Sequence, residues 1–599
     1  MVAAPFRPEF RMRRRTFLAA LPAAAVAGMA HATSRAQNPN RDRPDVHGGD
    51  RIDGATFASR SAAWGVHGAA ATAHPLATQT AIEILKKGGS AVDAAIAANA
   101  VLGYGEPISC GVGGDCFVML WDPKTRQVMG LNGSGRSPKA LSLEIVRSRA
   151  KNGLIPSYGA IAVSVPGAVD AWWTLHQRYG KLAWKDLFQP AIGFAEEGAP
   201  ITQNVAFYVE KSFGNFTRPG AGIEETDNFR KVWAPEGRTP AEGEVFRNPG
   251  LARTYRLIAE GGRDAFYEGE IADTIERYFK RIGGWMTKAD LAEHHSRWDP
   301  PHRTGYRGVD IYGLSPNSQG LATLAALNIM ETFDFKAMGF QSAQAIHHGV
   351  EAKRLAFEDR ARYYADPDFY KVPVEWLISK DYARERAKLI RPDAIMDNLR
   401  PGQAPSHGDT TYFCTADKDG MMVSIIQSNY RGMGSGLMPD GLGFMFQNRG
   451  ELFALTDGHP NIFAPGKRPF QTIIPGFATR GGEPWLAFGV MGGDMQPQGQ
   501  AQIISNLVDY GLGLQEAGDS PRWHHDGSPE PTGEAALPGS GFLNLETGVP
   551  EATKAELARI GWKMRPAEGG YGGYEAVERW PGRYAAATEM RKDGVALAY

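Results

Sequence analysis

The sequence predicts a fold of the α+β class, and three stretches carry that expectation. Thr410 to Cys414 is rich in β-branched and aromatic residues, Asp419-Gly420 is a turn signal, and a second such run follows from Met421 to Tyr430, so the segment reads as a β-hairpin. Leu76 to Gly103 has apolar residues at Ile82, Leu85, Val92, Ile96 and Val101 around Lys86-Lys87-Gly88-Gly89, which predicts two consecutive helices, the first stopped by the glycines. Cys116 to Trp121 reads as a strand entered from the glycine-rich Gly111-Val112-Gly113-Gly114.

If the hairpin loop has three residues with Gly420 in the left-handed conformation, Asp417 faces Met421 and Thr410 lies opposite Ser428. Taken alone, two hydroxyls facing each other across a strand pair form an ordinary cross-strand hydrogen bond. The second predicted helix, Ser90 to Leu102, is alanine-rich and is expected to pack tightly inside. The glycine-rich run has no Lys-Ser/Thr after it and no strand-loop-helix order, so close backbone packing explains it better than a phosphate cradle.

Composition narrows the function classes. The 599 residues are 43% hydrophobic and 22% charged, ordinary for a protein with a substantial core, and the formal net charge of −1 gives no reason to expect nucleic acid or an anionic membrane as partner. Arg13-Arg14-Arg15-Thr16-Phe17-Leu18, the apolar Ala19 to Met29 and Ala30-His31-Ala32 have the parts of a secretory signal. The expectation is a signal over 1–32 using the twin-arginine route and a periplasmic or secreted protein. Ala36 is an alternative cut, and an uncleaved anchor the minor reading of a run shorter than the about 20 residues a span needs. Residues 33–60 are expected to be a disordered lead-in. Cys110, Cys116 and Cys414 make no disulfide framework; the spacing leaves a Cys110–Cys116 pair open, and plain burial is favoured over zinc.

Several segments stand out as motifs: His74-Pro75-Leu76, Gly88-Gly89-Ser90-Ala91-Val92-Asp93-Ala94-Ala95, Glu106-Pro107-Ile108-Ser109-Cys110-Gly111-Val112-Gly113-Gly114-Asp115, Thr410-Thr411 at the head of the hairpin, and Gly443-Phe444-Met445-Phe446-Gln447-Asn448. From about His74 to the C-terminus the chain resembles the γ-glutamyltransferase (glutathione hydrolase) family of N-terminal-nucleophile hydrolases. The resemblance implies a four-layer αββα sandwich and a precursor that cuts itself between Asp409 and Thr410. A large fragment (61–409) and a small one (410–599) would then form one globular unit. It also implies Thr410 as nucleophile, with its new α-amine as base, Ser428 orienting the hydroxyl, and the backbone N–H groups of Gly492 and Gly493 as oxyanion hole. No cofactor and no metal are implied. His347, His348 and Glu351 accordingly read as structural, and Glu351, Lys353 and Arg354 as an ordinary charged helix face.

Substrate contacts are where the chain departs from the family. The arginine that holds the substrate α-carboxylate in relatives falls at Ser134, with Arg136 two residues on as either a substitute or a plain surface residue. The acidic residue that binds the α-amine falls at Leu452, and Glu451, one residue away on what reads as a strand, would face the other way. Gln471 and Thr472 stand where relatives carry a serine pair, and both can donate hydrogen bonds. Asn429 and Asn448 are further candidates for substrate contact. The expected reaction is transfer of a γ-glutamyl group to water or an amine, with a glutaryl-type or other side-chain amide acylase as the alternative, and an exported binding protein that never matures as the rival from another class.

Overall fold

Residues 59–396, 409–534, 536–565 and 569–599 are described by the structure, a computed structural model. The signal segment, nearly all of the lead-in and the approach to the hairpin over 397–408 lie outside the described residues. Among the described residues no helix is long and apolar enough to cross a membrane.

The glycine break after Lys86 does what the sequence predicts. Helices Pro75–Lys86 (α1) and Ala91–Gly105 (α2) follow one another. Ser90 caps α2 by accepting from the Asp93 N–H while the Asp93 carboxylate accepts from the Ser90 N–H, a reciprocal capping box. Every residue of α2 is buried, which fits its alanines: a helix wrapped on all sides needs small side chains so that neighbours can approach.

In chain order the strands of the two main sheets are β1 (Ala63–Gly65), β2 (Ala69–Thr72), β3 (Asp115–Asp122), β4 (Gln127–Gly133), β5 (Arg297–Trp298), β6 (His302–Tyr306), β7 (Val309–Gly313), β8 (Asp409–Ala416), β9 (Met422–Tyr430), β10 (Gly476–Arg480), β11 (Glu483–Val490), β12 (Tyr574–Trp580), β13 (Arg583–Ala587) and β14 (Val595–Ala598). One seven-stranded sheet has the order β14-β2-β8-β9-β3-β4-β5, the other β1-β13-β12-β11-β10-β7-β6. Neighbouring strands are antiparallel in both.

Side-chain alternation turns these sheets into layers. On β8, Tyr412 and Cys414 point into a core shared with Phe117, Met119, Ile426, Phe477, Ala487 and Val577, so they face the second sheet. Phe413 between them joins the core under α1 and α2 with Val118, Leu120, Val423 and Ile425. The second sheet's far face, with Ala478, Leu486, Phe488 and Ala576, packs against helices Gly320–Met330 (α3), Ala343–Tyr363 (α4) and Met495–Val508 (α5). Helix, sheet, sheet and helix are thus separated by three apolar layers, the αββα sandwich expected. Gly113 shows why the loop before β3 is glycine-rich: a Cβ there would lie 2.1 Å from the Met445 carbonyl oxygen.

Two local expectations fail. Glu351, Lys353 and Arg354 on α4 are buried rather than an exposed charged face. Each has partners from segments distant in sequence or along the helix: Arg354 bonds Glu351 (2.7 Å) and Ser540 (2.9 Å), and Lys353 donates to the His525 carbonyl (3.1 Å) and Ser528 hydroxyl (2.9 Å). Residues Arg449–Leu452 form a 3-10 turn, not a strand, so neighbouring side chains do not alternate between two faces there. The three cysteines are buried free thiols, so Cys110 and Cys116 are not bridged. His347 is held by the Arg391 carbonyl and the Trp562 indole, and His348 by the Gln344 carbonyl.

Candidate active site

The hairpin closes as its sequence specifies. Asp417 N–H bonds the Met421 carbonyl at 3.0 Å, Gly420 has φ +90°, and the ladder runs from Thr411↔Gln427 to Ala416↔Met422. The register shifts between Asp409 and Thr411, so Thr410 sits at a bulge. There its hydroxyl donates to the Ser428 hydroxyl at 3.2 Å, and both residues are fully buried. Ser428 Oγ also accepts from the Tyr430 N–H at 2.8 Å, which fixes the acceptor. Tyr430 has φ +81°, a backbone state unusual for an aromatic residue and imposed by the same irregular step. On the other side of β8, β2 pairs only from Phe413 to Ala416. Among the described residues, Thr410 therefore projects past that neighbouring strand.

Polar groups from the rest of the chain converge on this strand end. Thr411 Oγ1 bonds the Glu106 carboxylate, tying the hairpin to the end of α2. Gln427 bonds both backbone groups of Gly111 through its side-chain amide, at 2.8 and 2.7 Å. From α5, Gln496 points its amide nitrogen at Thr410 Oγ1 (3.4 Å) while its oxygen accepts from the Ile474 N–H (2.9 Å).

Strand β11 ends at Val490 and α5 begins at Met495; Gly492 (φ +110°) and Gly493 (φ +59°) occupy the link. Both lie in backbone territory that side chains disfavour, and both precede a helix N-terminus, where the dipole and free N–H groups favour negative charge. Gln319 anchors the link, donating to the carbonyls of Thr472 (2.6 Å) and Gly493 (3.0 Å).

The remaining sequence candidates divide. Thr472 Oγ1 accepts from Arg449 Nη1 at 2.6 Å, and Gln471 donates to Asp115 Oδ2 at 2.7 Å while its own side-chain oxygen has no partner among the described residues. Asp115 also accepts from Gln447 and the Gly135 N–H, and its burial pushes its pKa up to about 6. Asn429 is buried, and its side-chain oxygen has no partner among the described residues. Asn448 has a structural engagement, accepting from the Arg431 N–H and donating to the Ser157 carbonyl. Arg136 is committed to Asp368 (2.6 Å), Asp366 (3.3 Å) and the Gly466 carbonyl (2.9 Å). Ser134 instead faces Asn132 and Asn317. Leu452 lies in the apolar core, and the Glu451 carboxylate is paired with Arg431.

Sequence reading missed Glu106, Gln496 and Arg449. Gln496 follows the glycine pair by three residues, and Arg449 follows Asn448 directly, so adjacency to a recognised pattern was the available signal.

Comparison with known proteins agrees with this arrangement. The family model described as Gamma-glutamyltranspeptidase matches residues 77–599. The chain is 37% identical over 451 residues to the glutathione hydrolase-like YwrD proenzyme of Bacillus subtilis (strain 168), covering 75% of this chain and 83% of that protein. It is 31% identical over 491 residues to the glutathione hydrolase proenzyme of Pseudomonas sp. (strain A14), with 79% and 84% covered. The crystal structure of cephalosporin acylase from Bacillus halodurans superposes with a TM-score of 0.83 at 39% identity, covering 92% of this chain and 99% of that one. The αββα sandwich and these relatives define an enzyme of the N-terminal-nucleophile hydrolase type. Within that class the chain belongs to the gamma-glutamyltranspeptidase family.

Proposed function

We propose that the chain matures by cutting itself between Asp409 and Thr410 and then transfers a γ-glutamyl group, from glutathione or a related amide, to water or an amine. The observation that carries this reading is the buried hydroxyl pair Thr410–Ser428, 3.2 Å apart at the head of a central strand. In the precursor Thr410 Oγ1 attacks the Asp409 carbonyl; the amide becomes an ester on Thr410, and water hydrolyses it to an Asp409 carboxylate and a free Thr410 amine. The bond to be broken lies in the irregular step of the hairpin, where the ladder is already interrupted. That amine, with a pKa of roughly 7.7–8, then accepts the hydroxyl proton directly or through a water. Thr410 Oγ1 attacks the substrate amide, the N–H groups of Gly492 and Gly493 stabilise the oxyanion, and the leaving amine departs with the proton. Water or an acceptor amine releases the acyl group by the reverse steps. Asn429, Gln471 and Thr472 are proposed to line the acyl pocket.

In Thr410→Ala, intact mass measurement is expected to find one uncut chain where the wild type gives two fragments. Two fragments from the variant would refute the role of Thr410. The twin-arginine motif supports export of the folded precursor.

A second reading, a glutaryl-type side-chain acylase, is favoured by Leu452, which is apolar and in the core where relatives bind an ammonium. The structural likeness to a cephalosporin acylase supports it too. Rates on γ-glutamyl- and glutaryl-p-nitroanilide decide between the two: faster turnover of the glutaryl compound selects the acylase.

A further inference from the structure

Arg449 is fully buried on the 3-10 turn that follows Asn448. Its guanidinium lies over the Tyr430 ring, 4.5 Å from the centroid, and Nη1 donates to Thr472 Oγ1 at 2.6 Å. Its Nε and Nη2 have no acceptor among the described residues. These two nitrogens carry the parallel N–H bonds on one edge of the guanidinium, the fork that matches both oxygens of a carboxylate. Among the described residues, the carboxylates that act on it most strongly are already engaged: Asp115 with Gln447, Gln471 and Gly135, and Glu451 with Arg431. Burial pushes the Arg449 pKa down to about 10, so it remains a cation at neutral pH. A desolvated cation with most of its N–H donors idle is unfavourable by itself, and an incoming anion removes the penalty.

Its position ties it to the reacting centre from two sides. Tyr430, beneath the guanidinium, donates its N–H to Ser428 Oγ, the acceptor of the Thr410 hydroxyl. Thr472, on Nη1, shares the Gln319 amide with Gly493. We propose that Arg449, aided by Thr472, is the receptor for a free carboxylate on the acyl group of the substrate. It takes the place that Arg136, held by Asp366 and Asp368, does not fill. The inference rests on the acyl-transfer reading above and specifies its substrate class: amides whose acyl chain ends in a carboxylate, as glutaryl and γ-glutamyl chains do.

The test compares glutaryl-p-nitroanilide with pentanoyl-p-nitroanilide, in which a methyl replaces the carboxylate. The mature wild type is expected to prefer the glutaryl compound, and Arg449→Met to lose roughly a hundredfold in kcat/KM on it, mainly through KM, with less than about a threefold change on the pentanoyl compound. Arg449→Lys is expected to recover part of the loss. Equal wild-type rates on the two substrates, or equal losses in Arg449→Met, would overturn the assignment. Free glutarate is expected to raise the melting temperature of the wild type and not of Arg449→Met. If neither anilide is turned over, the acyl-transfer reading fails, and absence of the glutarate shift then overturns the carboxylate receptor separately. A variant that stays uncut leaves the wild-type substrate comparison and glutarate shift to decide.

Discussion

Among the described residues, the hydroxyl of Thr410 meets one hydroxyl and one amide, Ser428 and Gln496. In the proposed mechanism the amine that cleavage would free on the same residue is the base. Two outcomes follow at this scale. Ser428→Ala is expected to lower kcat by about a hundredfold with KM little changed, because it removes the group that aims the hydroxyl. Steady-state rates would check it, and a change confined to KM would contradict that role. The wild-type rate is expected to rise with pH through about 7.7–8, the range in which an α-amine loses its proton. Turn chemistry and spacing placed Thr410 opposite Ser428 in the sequence, and the family resemblance singled out that pair and the two glycines. Arg449 and Gln496 were not legible there, since an arginine or glutamine in a sequence carries no mark of the separate strands and turns that will bury it.

At the scale of elements, helices and hairpin answer to their local signals, and the segments around the pocket do not. The α2 capping box was written in Ser90-Ala91-Val92-Asp93, and Asp93 extends it by accepting from the N–H groups of Lys181 and Leu182. Ser90→Ala is expected to cost about 1 kcal/mol, read from the urea midpoint of the uncut Thr410→Ala chain. The turn at 449–452 misled because Glu451 and Leu452 were placed on an alternating strand. Likewise Glu351, Lys353 and Arg354 have the spacing of a solvated helix face, yet α4 is covered by the segment around His525 to Ser540. That covering segment is far from α4 in sequence, so periodicity alone had no access to it.

For the whole molecule, the arrangement of strands bears on what the proposed maturation would do. β8 and β9, which the proposed cut would assign to the small fragment, lie between β2 and β3 of the large one, and β14 lies on the far side of β2. Cut wild-type protein is therefore expected to elute as one species on native size-exclusion chromatography and to run as two bands on a denaturing gel. Separate native elution would contradict the interleaved sheet. Lys353 supplies a pH dependence. Burial lowers its pKa from the ordinary 10.5 to about 7, so between these values the unfolded chain binds more protons than the folded one. Its contribution to stability is complete above about 10.5 and declines as pH falls towards 7. Lys353→Met in the uncut Thr410→Ala background is expected to flatten that rise, measured as urea midpoints at pH 7, 8 and 9.

The sequence by itself determined the hairpin register, the paired helices and their cap, the threonine facing a serine, and through its motifs the family and the sandwich. These depend on interactions within a few residues or on patterns repeated across relatives. Only the tertiary structure decided which polar side chains converge on Thr410, that Arg136 is occupied by aspartates, and that Arg449 is buried with a fork that has no acceptor among the described residues. Those are facts about segments far apart in the chain, and burial, which gives a charge its energetic weight, exists only once they have packed.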